Sequence, residues 1–148
     1  MKTLVIGRAS RVLNASNYFV ASHQVQKLKA VKLMEFDQII FASYSQKLDA
    51  KHLRLVGIAN WLNSIWNKRL IFLSSDHVFS GNTGLYSVED VPDPISSYGV
   101  AKHELEQILS RFCILRFTTH GPSQSGKPLL SEIVKRKKNI TLFPNQYF

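Results

Sequence analysis

Apolar residues along the chain follow two alternating rhythms. Residues 2–6, 36–42, 69–74 and 112–117 are short apolar runs with the length and composition of strands buried within a parallel sheet. Between them the spacing becomes helical. Residues 52–66 place Leu53, Val56, Ile58, Ala59, Leu62, Ile65 and Trp66 at helical intervals. Residues 98–111 set Ala101, Leu105, Ile108 and Leu109 on one side, with Glu104, Glu106 and Gln107 away from it. A last short helix is expected over residues 131–138. Only about thirty residues separate the first strand from the second long run, so residues 20–22 or 29–33 are expected to hold a residual strand. Strands alternating with helices imply right-handed crossovers and a parallel sheet, an α/β doubly wound domain in which ligands bind beyond the carboxyl ends of the strands. Residues 81–94 are rich in Gly, Asn and Pro and predict a long irregular loop.

A length of 148 residues suits one domain, spanning residues 1–148. No tract is long and apolar enough to span a bilayer, and the start of the chain reads as a strand entering a turn rather than a signal peptide. Cys113 is the only cysteine, which rules out an intramolecular disulfide and a four-cysteine zinc site and fits a reducing, cytoplasmic setting. The histidines show no metal-ligand spacing. The net charge of +9 is uneven: residues 1–34 hold six Lys or Arg and no acid, and residues 135–138 add a second basic cluster. Such a balance permits contact with nucleic acid, an anionic membrane or a phosphate-rich small molecule. The second cluster equally fits the solvated end of a helix.

Chemistry enters at Tyr98 and Lys102, four residues apart and so on one helix face. An ammonium beside a phenol lowers the phenol's proton affinity, and a tyrosine tuned in this way exchanges a proton with a carbonyl or alcohol. The spacing alone recurs by chance in many helices. Its surroundings add weight: Ser74-Ser75-Asp76-His77-Val78-Phe79-Ser80-Gly81 closes the third long strand, 23 residues from Ser75 to Tyr98.

Here the sequence resembles the extended short-chain dehydrogenase/reductase family, most closely its dTDP-4-dehydrorhamnose reductase-like nucleotide-sugar reductases. The family's S-T-D-Y-V-F-x-G pattern matches residues 74–81, with Ser75 for threonine and His77 for tyrosine. Its Y-x-E-x-D-x-P-x-P-x-x-x-Y-G-x-x-K stretch resembles residues 86–102, and its I-L-R strand resembles Ile114-Leu115-Arg116. The matches run collinearly from Phe36 to about Gln146. The resemblance implies an abbreviated Rossmann-like domain without the family's C-terminal substrate domain, which ordinarily shapes the sugar pocket.

It also implies roles. Tyr98 would protonate a ketone oxygen, Lys102 would support Tyr98 and the nicotinamide ribose, and Ser75 would align the substrate oxygen. The hydride would come from NADPH or NADH, with Gly7, Arg8, Ser10, Arg11, Ala42, Ser43 and Lys102 as dinucleotide contacts. His77 and Arg116 would face a nucleotide-sugar substrate. The glycine fingerprint is eroded, because only Gly7 remains while Ser10 and Leu13 stand where the family has its other glycines. No acid precedes Glu35 to grip an NAD ribose, and Arg8 and Arg11 could meet phosphates instead, which favours NADPH.

Other readings have their own residues. A non-catalytic binding or assembly domain derived from such a reductase, completed by a second copy or a partner subunit, fits the eroded fingerprint. A nucleic-acid-binding domain fits the charge but lacks a recognition module. Residues 121–127 read G-x-x-x-x-G-K, yet Pro128 stands where a phosphate-binding loop needs a hydroxyl. His77 is equally a solvent-facing histidine, Asp76 a turn cap, and Trp61 and Trp66 packing residues.

Overall fold

The computed structural model describes residues 2–7, 18–21, 24–25 and 30–117, with the backbone alone at 18, 19, 30 and 31. Strands β1 (Thr3–Ile6), β2 (Tyr18–Val20), β3 (Gln38–Phe41), β4 (Arg69–Leu73) and β5 (Cys113–Leu115) form one sheet in the order β2-β1-β3-β4-β5. Every pairing is parallel. The chain steps from β1 outward to β2, then returns across β1 to β3 and continues the other way. That reversal makes the fold Rossmann-like and doubly wound, and it puts the switch point at the carboxyl ends of β1 and β3.

Helices α1 (Ala30–Leu33), α2 (Ala50–Ile65) and α3 (Ser97–Ile108) supply the three crossovers from β2 to β3, from β3 to β4 and from β4 to β5. Register builds the core. Leu4, Ile39 and Leu70 lie side by side across the strands, and Ile6, Phe41, Phe72 and Ile114 form the next row. Both rows join one cluster with Leu33, Leu55, Ile58, Leu62, Leu105 and Leu109. Helices from all three crossovers therefore cover the same sheet face among the described residues. Each fully buried Leu, Ile or Phe in these rows contributes about 2 kcal/mol.

The long elements fall where the pattern places them, with ends trimmed by a few residues. Residues 29–33 do not form a strand: 30–33 make the single turn of α1, and the residual strand is β2. Leu53 also departs from its expected place, 69% exposed on the outer side of α2. Asp49 starts α2 by accepting hydrogen bonds from the amides of Lys51 and His52, and Ser96 starts α3 by accepting from the amide of Gly99. Trp66, at the end of α2, is fully buried and donates its indole N–H to the Arg69 carbonyl at 3.1 Å. Residues 81–96 form the irregular loop expected there. The 131–138 helix lies outside the described residues. No helix among those described is long and apolar enough to cross a membrane.

Candidate active site at the carboxyl edge of the sheet

Three strand ends converge at the switch point. Gly7 follows β1 with φ +112°, and a Cβ there would lie 2.4 Å from Ser43 Oγ and 2.8 Å from Ser43 N. Only glycine lets the two strand ends approach this closely. Gly7, Ala42 and Ser43, three of the residues expected to contact a dinucleotide, thus lie together. Arg8, Ser10 and Arg11 lie outside the described residues.

Beyond β4 the chain makes one 3-10 turn, Asp76–Val78, capped by Ser75. The Ser75 hydroxyl donates to Asp76 Oδ1 at 2.9 Å and accepts from the His77 amide at 3.3 Å. The start of α3 packs directly on this turn. A Cβ on Gly99 would sit 2.0 Å from the His77 carbonyl oxygen and 3.0 Å from Pro94 Cβ. The glycine beside Tyr98 therefore permits the contact that brings Tyr98 to Ser75, a positioning role that the Tyr/Lys spacing does not reveal. The Tyr98 ring meets His77 edge-on at 5.4 Å between centroids and Tyr44 at 5.9 Å. Tyr44 was not among the predicted site residues; an aromatic directly after Ala42-Ser43, at the end of a buried strand, was the signal available.

Electrostatics at the site run opposite to the expectation from sequence. The Tyr98 phenol is pushed above its ordinary value, mainly by burial; the Ser75 hydroxyl opposes this rise, while Tyr44 and Asp76 add to it. Lys102 does not lower it. The Lys102 ammonium turns into the fold, donating to the carbonyls of Leu73 at 2.6 Å and Ser43 at 3.3 Å. It also lies 4.7 Å over the Phe72 ring. Burial brings Lys102 down to about 8, against the upward pull of Glu106. Both groups answer first to desolvation, which favours a neutral phenol and a neutral amine alike.

Arg116 follows β5 and turns back onto α3. Its guanidinium grips Glu106 with Nη2–Oε2 at 2.7 Å and Nε–Oε1 at 3.0 Å, and covers the Phe79 ring at 5.0 Å. Phe79 stacks on Tyr86 at 4.3 Å, and the Ser80 amide donates to Asp93 at 2.8 Å, so the long loop is anchored at its base. Glu106, which the pattern placed away from the core, is buried because Arg116 meets it there. His77 is exposed beside Tyr98. His52 Nε2 and Glu104 are 2.6 Å apart and tie α2 to α3. No cluster of metal-ligating side chains occurs among the described residues.

A parallel sheet whose strand order reverses at the Gly7/Ser43 junction, with Ser75, Tyr98 and Lys102 at that edge, has the layout of a short-chain dehydrogenase/reductase domain. The profile of the RmlD substrate binding domain matches residues 46–141, and the chain belongs to that family. A comparison with curated proteins finds no match. Among solved structures, dTDP-4-dehydrorhamnose reductase from Bacillus anthracis str. Ames, in complex with NADP, superposes with a TM-score of 0.55 at 21% identity, covering 78% of this chain and 52% of that one. The reductase of the same name from Yersinia enterocolitica gives 0.54 at 22%, covering 78% and 51%. UDP-glucuronic acid 4-epimerase from Bacillus cereus, in complex with NAD, gives 0.55 at 16%, covering 78% and 55%. These likenesses establish the fold. The chain spans about half the length of the structures that it matches.

Proposed function

We propose that this domain is reductase-like and acts on a keto-sugar carried by a nucleotide, with Tyr98 as the proton donor. The observation that supports this reading most is the convergence of Ser75, Tyr98 and Lys102 at the switch point, built by Gly7 on one side and Gly99 on the other. A phenol pushed upward by burial stays protonated at neutral pH, which suits donation to a ketone oxygen rather than abstraction from an alcohol. Ser75 lies against that phenol and orients the same oxygen through its hydroxyl. His77 and Tyr44 flank the Tyr98 ring and form the walls against which the sugar sits.

The residues at this edge fit the nicotinamide end of a dinucleotide. Gly7, Ser43 and the Lys102 ammonium all stand at the switch point, and Lys102 would meet a ribose hydroxyl by exchanging its carbonyl partner Ser43. A nicotinamide dinucleotide, NADPH or NADH, would supply the hydride. Arg8, Ser10 and Arg11 complete the proposed dinucleotide contacts. Arg116 acts in this reading by holding the wall with Glu106 and Phe79, adjoining the nucleotide-sugar pocket. A second copy or a partner subunit would complete that pocket, and the reaction belongs to cytoplasmic supply of sugars for polysaccharide assembly.

The test is oxidation of NADPH by the full chain with a dTDP-linked 4-keto-6-deoxyhexose, alone and with Tyr98→Phe. Turnover abolished by Tyr98→Phe supports the reading. Saturable NADPH binding without turnover at any substrate concentration overturns it in favour of a non-catalytic binding domain.

A further inference from the structure

Glu106 is a buried group that the chemistry above does not use. Its side chain is 3% exposed and lies one helical turn beyond Lys102 on α3. Arg116 reaches across from the end of β5 and occupies both carboxylate oxygens, with Nε at 3.0 and 3.2 Å and Nη2 at 2.7 Å. His103 Nδ1 stands 3.8 Å from the same carboxylate. A carboxylate buried this deeply is costly unless it is paired and hydrogen-bonded, and the guanidinium fork does both.

Lys102 has the opposite need. Its side chain is 4% exposed, and its hydrogen bonds go to two neutral carbonyls. Carbonyls and an aromatic face solvate an ammonium, but a countercharge is what holds its proton. Among the described residues, no hydrogen bond joins Lys102 to Glu106, whose two oxygens are turned to the Arg116 fork.

We propose that the Glu106–Arg116 pair is a positioning device for Lys102: the carboxylate supplies the countercharge that keeps the ammonium protonated, and the guanidinium stops the two from collapsing into a direct ion pair, leaving Lys102 aimed at Ser43 and Leu73. The inference rests on the proposed reading for its importance to catalysis, though its test does not. The titratable and charged groups on the elements around Lys102 include Tyr44 beyond β3, Asp76 and His77 after β4, Asp49, Lys51 and Arg54 at the start of α2, and His52 of α2 set against Glu104. Arg116 approaches from beyond β5, and Tyr98, His103 and Glu106 share α3 itself. Glu106 is the carboxylate whose field opposes burial at Lys102.

The full chain, carrying lysine labelled with carbon-13 at Cε, is titrated by NMR to follow Lys102, assigned by its loss in Lys102→Met. Glu106→Gln keeps the shape and removes the charge, and it should lower the Lys102 midpoint by about one pH unit, an about tenfold fall in the ratio of charged to neutral amine. Arg116→Met frees the carboxylate to bond Lys102 directly and should raise the midpoint. Displacements of opposite sign are the signature, since a merely structural pair would loosen the fold in both variants without separating them. A Glu106→Gln midpoint equal to the wild type overturns the proposal, as does a downward shift in Arg116→Met, and each variant decides by itself if the other does not fold. A parallel NADPH titration separates the two claims: absent binding with opposite shifts sinks the reductase reading alone, and binding with an unmoved Lys102 sinks this inference alone.

Discussion

Gly99→Ala and Gly57→Ala make the same chemical change inside two helices and should move stability in opposite directions. Gly57 lies in α2, and a Cβ there has nothing within 4 Å. Alanine should stabilise that position by about 1 kcal/mol, the ordinary helix preference over glycine. At Gly99 the new Cβ would meet the His77 carbonyl oxygen at 2.0 Å, the His77 carbonyl carbon at 3.0 Å and Pro94 Cβ at 3.0 Å. The oxygen belongs to the backbone of a hydrogen-bonded turn, so relief requires α3 or the turn to move by more than about 1 Å. Overpacking of this kind costs about 1–3 kcal/mol, which exceeds the helical gain. Gly99→Ala should therefore destabilise by about 2 kcal/mol and sit about 3 kcal/mol below Gly57→Ala. Denaturant unfolding measures both, with equal slopes and displaced midpoints. A Gly99→Ala chain as stable as wild type would refute the packing of α3 on the turn after β4, and with it the account of how Tyr98 reaches Ser75.

Lys102 should make stability depend on pH. Its folded value of about 8 lies below the ordinary 10.5, so the unfolded chain binds the extra proton between those values and stability rises with pH across that window. Full displacement corresponds to about 3 kcal/mol, present above 10.5, lost on descending to 8 and absent below it; the difference between wild type and Lys102→Met across this window checks it, and parallel curves contradict it. On the proposed reading, Tyr98→Phe should remove turnover while leaving NADPH affinity within about twofold, read by reduced-nicotinamide fluorescence, because the variant would lose the proton donor alone. Asp49 is held below its ordinary value chiefly by the His52 amide, so its cap on α2 persists well into acid and fails as pH falls through that lowered value; Asp49→Ala should be less stable at neutral pH and converge with wild type under strong acid.

Much of this architecture was legible in sequence because buried parallel strands are continuous apolar runs. β3 and β4 announce themselves in the apolar runs 36–42 and 69–74, and α2 and α3 by helical spacing. Residues 30–33 were ambiguous because Ala-Val-Lys-Leu is too short to display a period, and the turn of α1 won where a strand was equally readable. Tyr98 and Lys102 stand out by their spacing and Ser75 by the family resemblance, and the fold sets Ser75 and Tyr98 together at the carboxyl edge. What escaped depends on contacts between distant residues. Glu106 looks solvent-facing until Arg116 arrives from beyond β5, and Gly99 looks incidental until the His77 carbonyl lies against it. The direction of the Tyr98 shift escaped for the same reason: Lys102 finds its acceptors at Ser43 and Leu73, far away in sequence, and turns from the phenol towards them.

Calorimetric titration of the full chain with NADPH tests the central claim most directly, with Lys102→Met as the comparator. The account predicts saturable binding by the wild type, weakened at least tenfold when the Lys102 ammonium is removed. No heat of binding at millimolar NADPH, or equal affinity in the two proteins, would contradict it.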